Sequence, residues 1–246
     1  MPLSANTLMH FTDSASSLFG ILEDNFKIFN CREKFDFGSE TLEYVVPMVS
    51  FCDIPLSEIK VHISKYGRYG IGMTRSWGVR NRLNPVLYMA QGSYLSESYR
   101  KAFIHFADPD NGVDGDWSEE QKSLVDILRY TKNYEGKLAR KSEVIDRYRF
   151  SDEREWRYVP PFNEDCEMVV SYSDYVKQKQ SMDHRLEGLR LKFEPDDIKY
   201  IVIDNDSEIR EFINHLRNTK GSKYAMHDVE RLTTRILTAQ QIEDDI

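Results

Sequence analysis

The sequence predicts an α+β fold held in one domain spanning residues 1–246. Three observations predict it. Strand-like and amphipathic helical runs are mixed along the chain, without the regular βαβ alternation of a doubly wound sheet. No internal repeat, low-complexity run or Pro/Gly/Ser-rich linker divides the 246 residues. Thirteen Phe, 14 Tyr and 3 Trp supply the apolar surface for a real core and exclude a globally disordered chain.

Each element follows from local pattern. Leu8–Thr12 reads as a short strand, after which Asp13 or Ser14 caps a helix with Leu18, Ile21, Leu22 and Phe26 on one face. Tyr44–Asp53 is a β-rich run in which Pro47 points to an edge or a bulge. Leu56–Tyr66 reads as a helix capped by Ser57 and stopped by Gly67. Tyr69–Thr74 and Pro85–Met89 are short strands around a small helix at Trp77–Leu83, and Tyr94–Phe106 is helical. An acidic loop follows, then Ser118 and Gln121 form a capping box for a helix running to about Tyr134, with Gly136 as its stop. Glu155–Val159, Met168–Tyr172, Leu189–Phe193 and Tyr200–Ile203 are strands, and Ser207–Arg217 is an amphipathic helix.

The net charge is −8. The acids concentrate in the second half, while residues 60–101 hold eight cations against the single acid Glu97. Tyr66, Tyr69, Trp77, Tyr88, Tyr94 and Tyr99 are interleaved there. Such a segment suits a phosphate-bearing ligand such as single-stranded nucleic acid; the alternative is a face whose charges balance acids elsewhere in the fold. No window of about 18 apolar residues spans a membrane, and the N-terminus lacks a secretory pattern. The scattered Cys31, Cys52 and Cys166 and the six His have no metal-ligand spacing, so the expectation is a reduced cytoplasmic protein with no metal.

Several motifs fail on spacing. Gly67, Gly70 and Gly72 are in the wrong order for a dinucleotide fingerprint. Asp108–Glu119 places carboxylates at several calcium-loop positions, but Gly112 stands where a ligand belongs and Val113 where the sharp turn needs glycine. Arg210 and His215 match the Arg-x4-His spacing of HEPN-type ribonucleases, yet they fall on opposite flanks of the apolar stripe Ile209, Phe212, Ile213 and Leu216.

The most unusual stretch is Ser151–Val159, Ser-Asp-Glu-Arg-Glu-Trp-Arg-Tyr-Val. On a strand, Glu153, Glu155, Arg157 and Val159 share one face. Like charges at that spacing repel unless Arg154 and Arg157 neutralise them in an ion-pair ladder, or unless a reaction uses them. Transfer of ADP-ribose from NAD is such a reaction: one carboxylate stabilises an oxocarbenium-like transition state and the second orients the acceptor. His10 with Thr12 can hold a ribose, and an aromatic from the 66–94 segment can stack on the nicotinamide.

Met48–Ser57, Tyr66–Met73, Trp77–Val79, Asn84–Tyr88 and Asp152–Val159 resemble the AbiGi-type abortive phage resistance family, from about Leu8 to Leu216. The opening His-Phe-Thr and the late Glu-bearing strand also resemble, remotely, the DarT-type toxins of the ADP-ribosyltransferase superfamily. That resemblance implies split mixed and antiparallel sheets with surrounding helices, and NAD as the substrate. It implies Glu155 as the catalytic residue, Glu153 on the acceptor side, and His10 in the first position. The middle position is open between Tyr69, Tyr88 and Ser50. Two readings follow. One is a phage-defence transferase acting on a macromolecular acceptor, RNA or single-stranded DNA in preference to protein, held in check by an antitoxin from a neighbouring gene. The other is a non-enzymatic antitoxin or interaction component, since the AbiGi name is also attached to the neutralising half of a two-gene system.

Overall fold

The computed structural model describes residues 5–107, 117–140, 143–161, 169–221 and 223–245. In chain order the elements are β1 (Thr7–Thr12), α1 (Ala15–Asp24), β2 (Phe26–Lys27), β3 (Phe29–Asp36), β4 (Thr41–Cys52), α2 (Lys60–Tyr66), β5 (Tyr69–Thr74), α3 (Arg75–Arg80), β6 (Asn84–Pro85) and β7 (Leu87–Met89). There follow α4 (Tyr94–Ala107), α5 (Glu119–Arg129), β8 (Thr131–Asn133), β9 (Gly136–Arg140), β10 (Glu143–Tyr148), β11 (Glu155–Tyr158), β12 (Val170–Ser171) and α6 (Tyr172–Leu186). The chain ends with β13 (Arg190–Leu191), β14 (Ile198–Ile203), α7 (Ile209–Lys220), α8 (Met226–Thr233), β15 (Ile236–Thr238) and α9 (Ala239–Asp245). The class is α+β with mixed sheets, and the chain divides into two compact units.

The first unit comprises residues 1–27, 49–84 and 189–246. Its strands run in the order β15, β14, β5, β1 and the last residues of β4. β14 and β15 are parallel and the remaining pairs antiparallel. Met9, Ile59, Ile63, Val202, Ala239 and Ile242 form one core cluster. A second group of rings, Phe26, Phe51, Trp77 and Phe193, packs edge to face and tilted. The Trp77 indole N–H donates to the Lys192 carbonyl, so the ring is buried without an orphaned donor.

The three glycines of the failed nucleotide motif have packing roles here. Gly67 caps the end of α2 at φ +123°, and a Cβ there would lie 2.2 Å from the Thr12 carbonyl oxygen. At Gly72 a Cβ would lie 2.7 Å from the Met9 sulfur and 2.9 Å from Thr7. Gly70 faces Phe11 in the same way. Only a residue without Cβ lets β1 approach β5 so closely.

The second unit comprises residues 28–48 and 85–188. β3 pairs with β4 in one unbroken antiparallel register from Phe29 opposite Met48 to Asp36 opposite Thr41. Pro47 sits within it opposite Asn30, so that ladder carries no bulge. β12 pairs with β4 at Val45 and Tyr44, β7 pairs in parallel with β8, and β9 with β10 forms a hairpin. Phe35, Tyr44, Val46, Met48, Tyr99 and Leu128 lead its core.

Local signals set several boundaries. Ser14 accepts from the Ser17 N–H to open α1, and Ser118 with Gln121 closes both halves of the capping box on α5. Other expectations are corrected. Asn25 adopts φ +67° and ends α1, so Phe26 is a strand residue rather than part of the helix face. α5 stops at Arg129 rather than Tyr134, because Thr131 and Asn133 are buried on a strand, where Thr131 hydrogen-bonds the last turn of α5. α2 is preceded by a 3-10 turn at Leu56–Glu58 instead of continuing it, and its cap is not Ser57. The acidic loop and the calcium-like spacing fall mainly on residues 108–116, outside the described residues, as does Cys166.

Candidate functional site

The Glu-x-Glu stretch is not one continuous strand. Phe150–Glu153 forms a 3-10 turn, Arg154 adopts φ +47°, and β11 begins at Glu155. Glu153 and Glu155 are nevertheless brought together, because Lys132 on β8 reaches both. Its Nζ lies 3.1 Å from Glu153 Oε2 and 2.9 Å from Glu155 Oε2. Both carboxylates are buried at 5% exposure, so this is not a surface ladder.

Arg157 completes the network. Its Nε donates to Glu155 Oε1 at 2.7 Å and its Nη2 to Glu155 Oε2 at 3.2 Å, a two-pronged grip that fixes the carboxylate plane. Nη2 also donates to Glu33 Oε2 at 2.8 Å, and Nη1 to the Arg129 carbonyl at 2.9 Å. The Glu155 backbone N–H donates to the Tyr88 hydroxyl at 2.9 Å.

The electrostatics follow from this geometry. Burial pushes the Glu155 carboxyl up, but Arg157 and Lys132 outweigh it and hold the group well below the usual carboxylate range. Burial pulls Lys132 down, and Glu155, Glu153 and Glu33 more than reverse it. The Glu155 carboxylate and the Lys132 ammonium stabilise one another's charged form, as buried charges require. Nearby Cys31 is pushed up to about 12 by burial and by Glu33, so it is a protonated, unreactive thiol.

The remaining expected site residues lie in the first unit. His10 is half-buried on β1, with Nδ1 2.8 Å from the Ser50 carbonyl oxygen. Its ring lies 5.3 Å from Phe26 and 5.6 Å from Phe51. Burial lowers its pKa, with the Ser50 carbonyl opposing, so the imidazole is held neutral. Thr12 stands opposite Tyr69 in the β1–β5 register, and the Tyr69 hydroxyl donates to Glu208 at 2.7 Å. The structure thus brings His10 to Ser50, and Glu153 and Tyr88 to Glu155.

The basic segment 60–101 is largely neutralised within the fold. Arg68 pairs with Asp204 and Glu243, Arg75 with Asp53, Arg80 with Asp197, and Arg100 with Glu97 and Glu40. Lys60 donates to the Glu243 carbonyl. In α7, His215 stacks on Phe19 and hydrogen-bonds the Phe19 carbonyl, which gives it a packing role.

Residues 24–204 match the family model described as "Putative abortive phage resistance protein AbiGi, antitoxin". The chain belongs to the AbiGi abortive phage resistance family. A curated relative, the abortive phage resistance protein AbiGi of Lactococcus lactis subsp. cremoris, is 28% identical over 227 residues, covering 82% of this chain and 90% of the relative. No solved structure matches, so the DarT-like link and the ADP-ribosyltransferase fold gain no support from known structures. The expectation of an NAD-dependent transferase is corrected: the family is described as the antitoxin component, not as an ADP-ribosyltransferase. In the structure Glu155 is gripped by Arg157 and reached by Lys132 within the buried network. Sequence reading missed Lys132, assigned to a helix, and Glu33, distant in the chain; the signal for Arg157 was its place in the Glu-x-Glu-x-Arg run.

Proposed function

We propose that this chain is the neutralising, non-enzymatic component of an abortive-infection system, acting by binding a protein partner. The observation that carries the reading is the occupancy of Glu155 by Arg157 and Lys132 within a buried ionic network, which makes the Glu-x-Glu stretch a structural device. The family's description as an antitoxin supports the same reading. It also reverses the expected partner: the neighbouring-gene product is the toxin, and this chain is its blocker. Nucleic acid is not needed for that role, and the cations of residues 60–101 are mostly paired with carboxylates of the same chain. Among the described residues no helix is long and apolar enough to cross a membrane.

The test is co-expression of the tagged chain with the product of the adjacent gene, followed by size-exclusion chromatography. A co-eluting complex that survives nuclease treatment is expected. Separate elution of the two proteins, with the toxin still active in the mixture, overturns the proposal.

A further inference from the structure

An apolar cavity of about 270 Å³ lies in the second unit where α4, α5, β4 and β12 meet. Its walls include Phe103 and Phe106 from α4, Leu124 and Leu128 from α5, Leu42 from β4, and Trp117 just ahead of α5. Phe103 and Phe106 are three positions apart and so share one helix face. Among the described residues no charged side chain lines the cavity. The polar side chains in its walls are already engaged inside the fold. The Tyr44 hydroxyl donates to the Leu128 carbonyl at 3.3 Å. The Gln121 amide donates to the Phe106 carbonyl at 2.6 Å and accepts from the Ser118 N–H at 2.7 Å. Ser171 Oγ donates to the Asp174 carboxylate at 2.7 Å and accepts from the Asp174 N–H at 3.2 Å. What these walls offer a ligand is therefore apolar surface and aromatic rings, and little for a charge. Water against them lacks the polar partners that hold buried water in place, so a ligand displaces it readily.

We propose that this cavity binds a free, neutral, planar aromatic molecule about the size of a fused bicyclic ring. An apolar cavity of about 150 Å³ is enough to hold benzene. The 270 Å³ here leaves room for a second fused ring. Phe103, Phe106 and Trp117 supply three rings for edge-to-face or offset contact, which adds to the gain from burying apolar surface. A carboxylate or an ammonium would enter without a counter-ion among the described wall residues, and burial penalises an unpaired charge heavily. This inference goes beyond the neutralising role and stands whether or not that role holds.

The test is titration calorimetry on the full chain with indole, indole-3-acetate and 1-octanol. Indole should bind saturably with a Kd below about 1 mM. Indole-3-acetate should bind at least about tenfold more weakly, because its carboxylate finds no cation in the walls. The aliphatic 1-octanol, of similar size to indole, should bind at least about threefold more weakly, because it forgoes the ring–ring contacts. Trp117→Ala should weaken indole binding about tenfold. That side chain is 44% exposed, so the variant should melt close to the unmodified chain. No saturable binding of indole, or indole-3-acetate or 1-octanol binding as tightly as indole, overturns the proposal on the unmodified chain alone. Unchanged indole affinity in Trp117→Ala overturns it as well.

Discussion

Replacing Arg157 with methionine tests the buried network directly. The side chain is fully buried and donates to Glu155 Oε1 at 2.7 Å, Glu33 Oε2 at 2.8 Å and the Arg129 carbonyl at 2.9 Å. Methionine keeps much of the volume and removes the charge. The buried Glu155 then loses its two-pronged donor while keeping Lys132, and Glu33 loses its donor at 2.8 Å. Breaking a buried ion pair by removing one partner costs about 3–5 kcal/mol, chiefly because the remaining charge is uncompensated. For a chain of this size each kcal/mol lowers the melting temperature by about 2–4 °C, so the expected drop is roughly 6–20 °C. Circular dichroism on heating reads it. Adding Glu155→Gln to Arg157→Met removes the stranded charge as well, so the double variant should regain more than about 1 kcal/mol relative to the sum of the single effects. A single-variant loss below about 1 kcal/mol, or strict additivity, would refute the network as a determinant of stability.

Acidification gives a related expectation. Folding depresses the Glu155 pKa, so its contribution is fully present above the unfolded carboxylate value and is lost as the pH falls below it. Melting temperature should therefore hold from neutral pH to about pH 5 and then fall, and the fall should be shallower in Glu155→Gln. His10→Ala should cost about 2–3 kcal/mol through the lost Ser50 hydrogen bond and the cavity beside Phe26 and Phe51; a change under about 0.5 kcal/mol in urea denaturation would contradict a packing role. Gly67→Ala should destabilise by more than about 1 kcal/mol, since its φ is +123° and its Cβ would collide with Thr12; a neutral effect on the melt would show that the turn after α2 can move away from the end of β1.

Local chemistry was legible in the sequence. The Ser118–Gln121 box, the Ser14 cap, the Gly67 stop and the strands at Tyr69–Thr74 and Glu155–Tyr158 all depend on residues within a few positions of one another. The helix α6 was not read, because its fifteen residues are polar nearly all round and bury only Tyr175 and Leu186. α8, β15 and α9 are short and take their burial from the rest of the first unit. The ionic partners of Glu155 were not legible for a different reason. Its ionic partners include Lys132, 23 positions away, and Arg157 in turn reaches Glu33, 124 positions away. The same is true of Arg68, whose partner Glu243 lies 175 positions on. A local excess of charge in sequence says little about surface potential until those long-range partners are known.

The most direct test of the neutralising role is growth of cells carrying the adjacent gene under one inducer and this chain under another. The chain alone should leave growth unchanged, the adjacent gene alone should arrest it, and the two together should restore it. Growth arrest by this chain alone, relieved by the adjacent gene, would contradict the account.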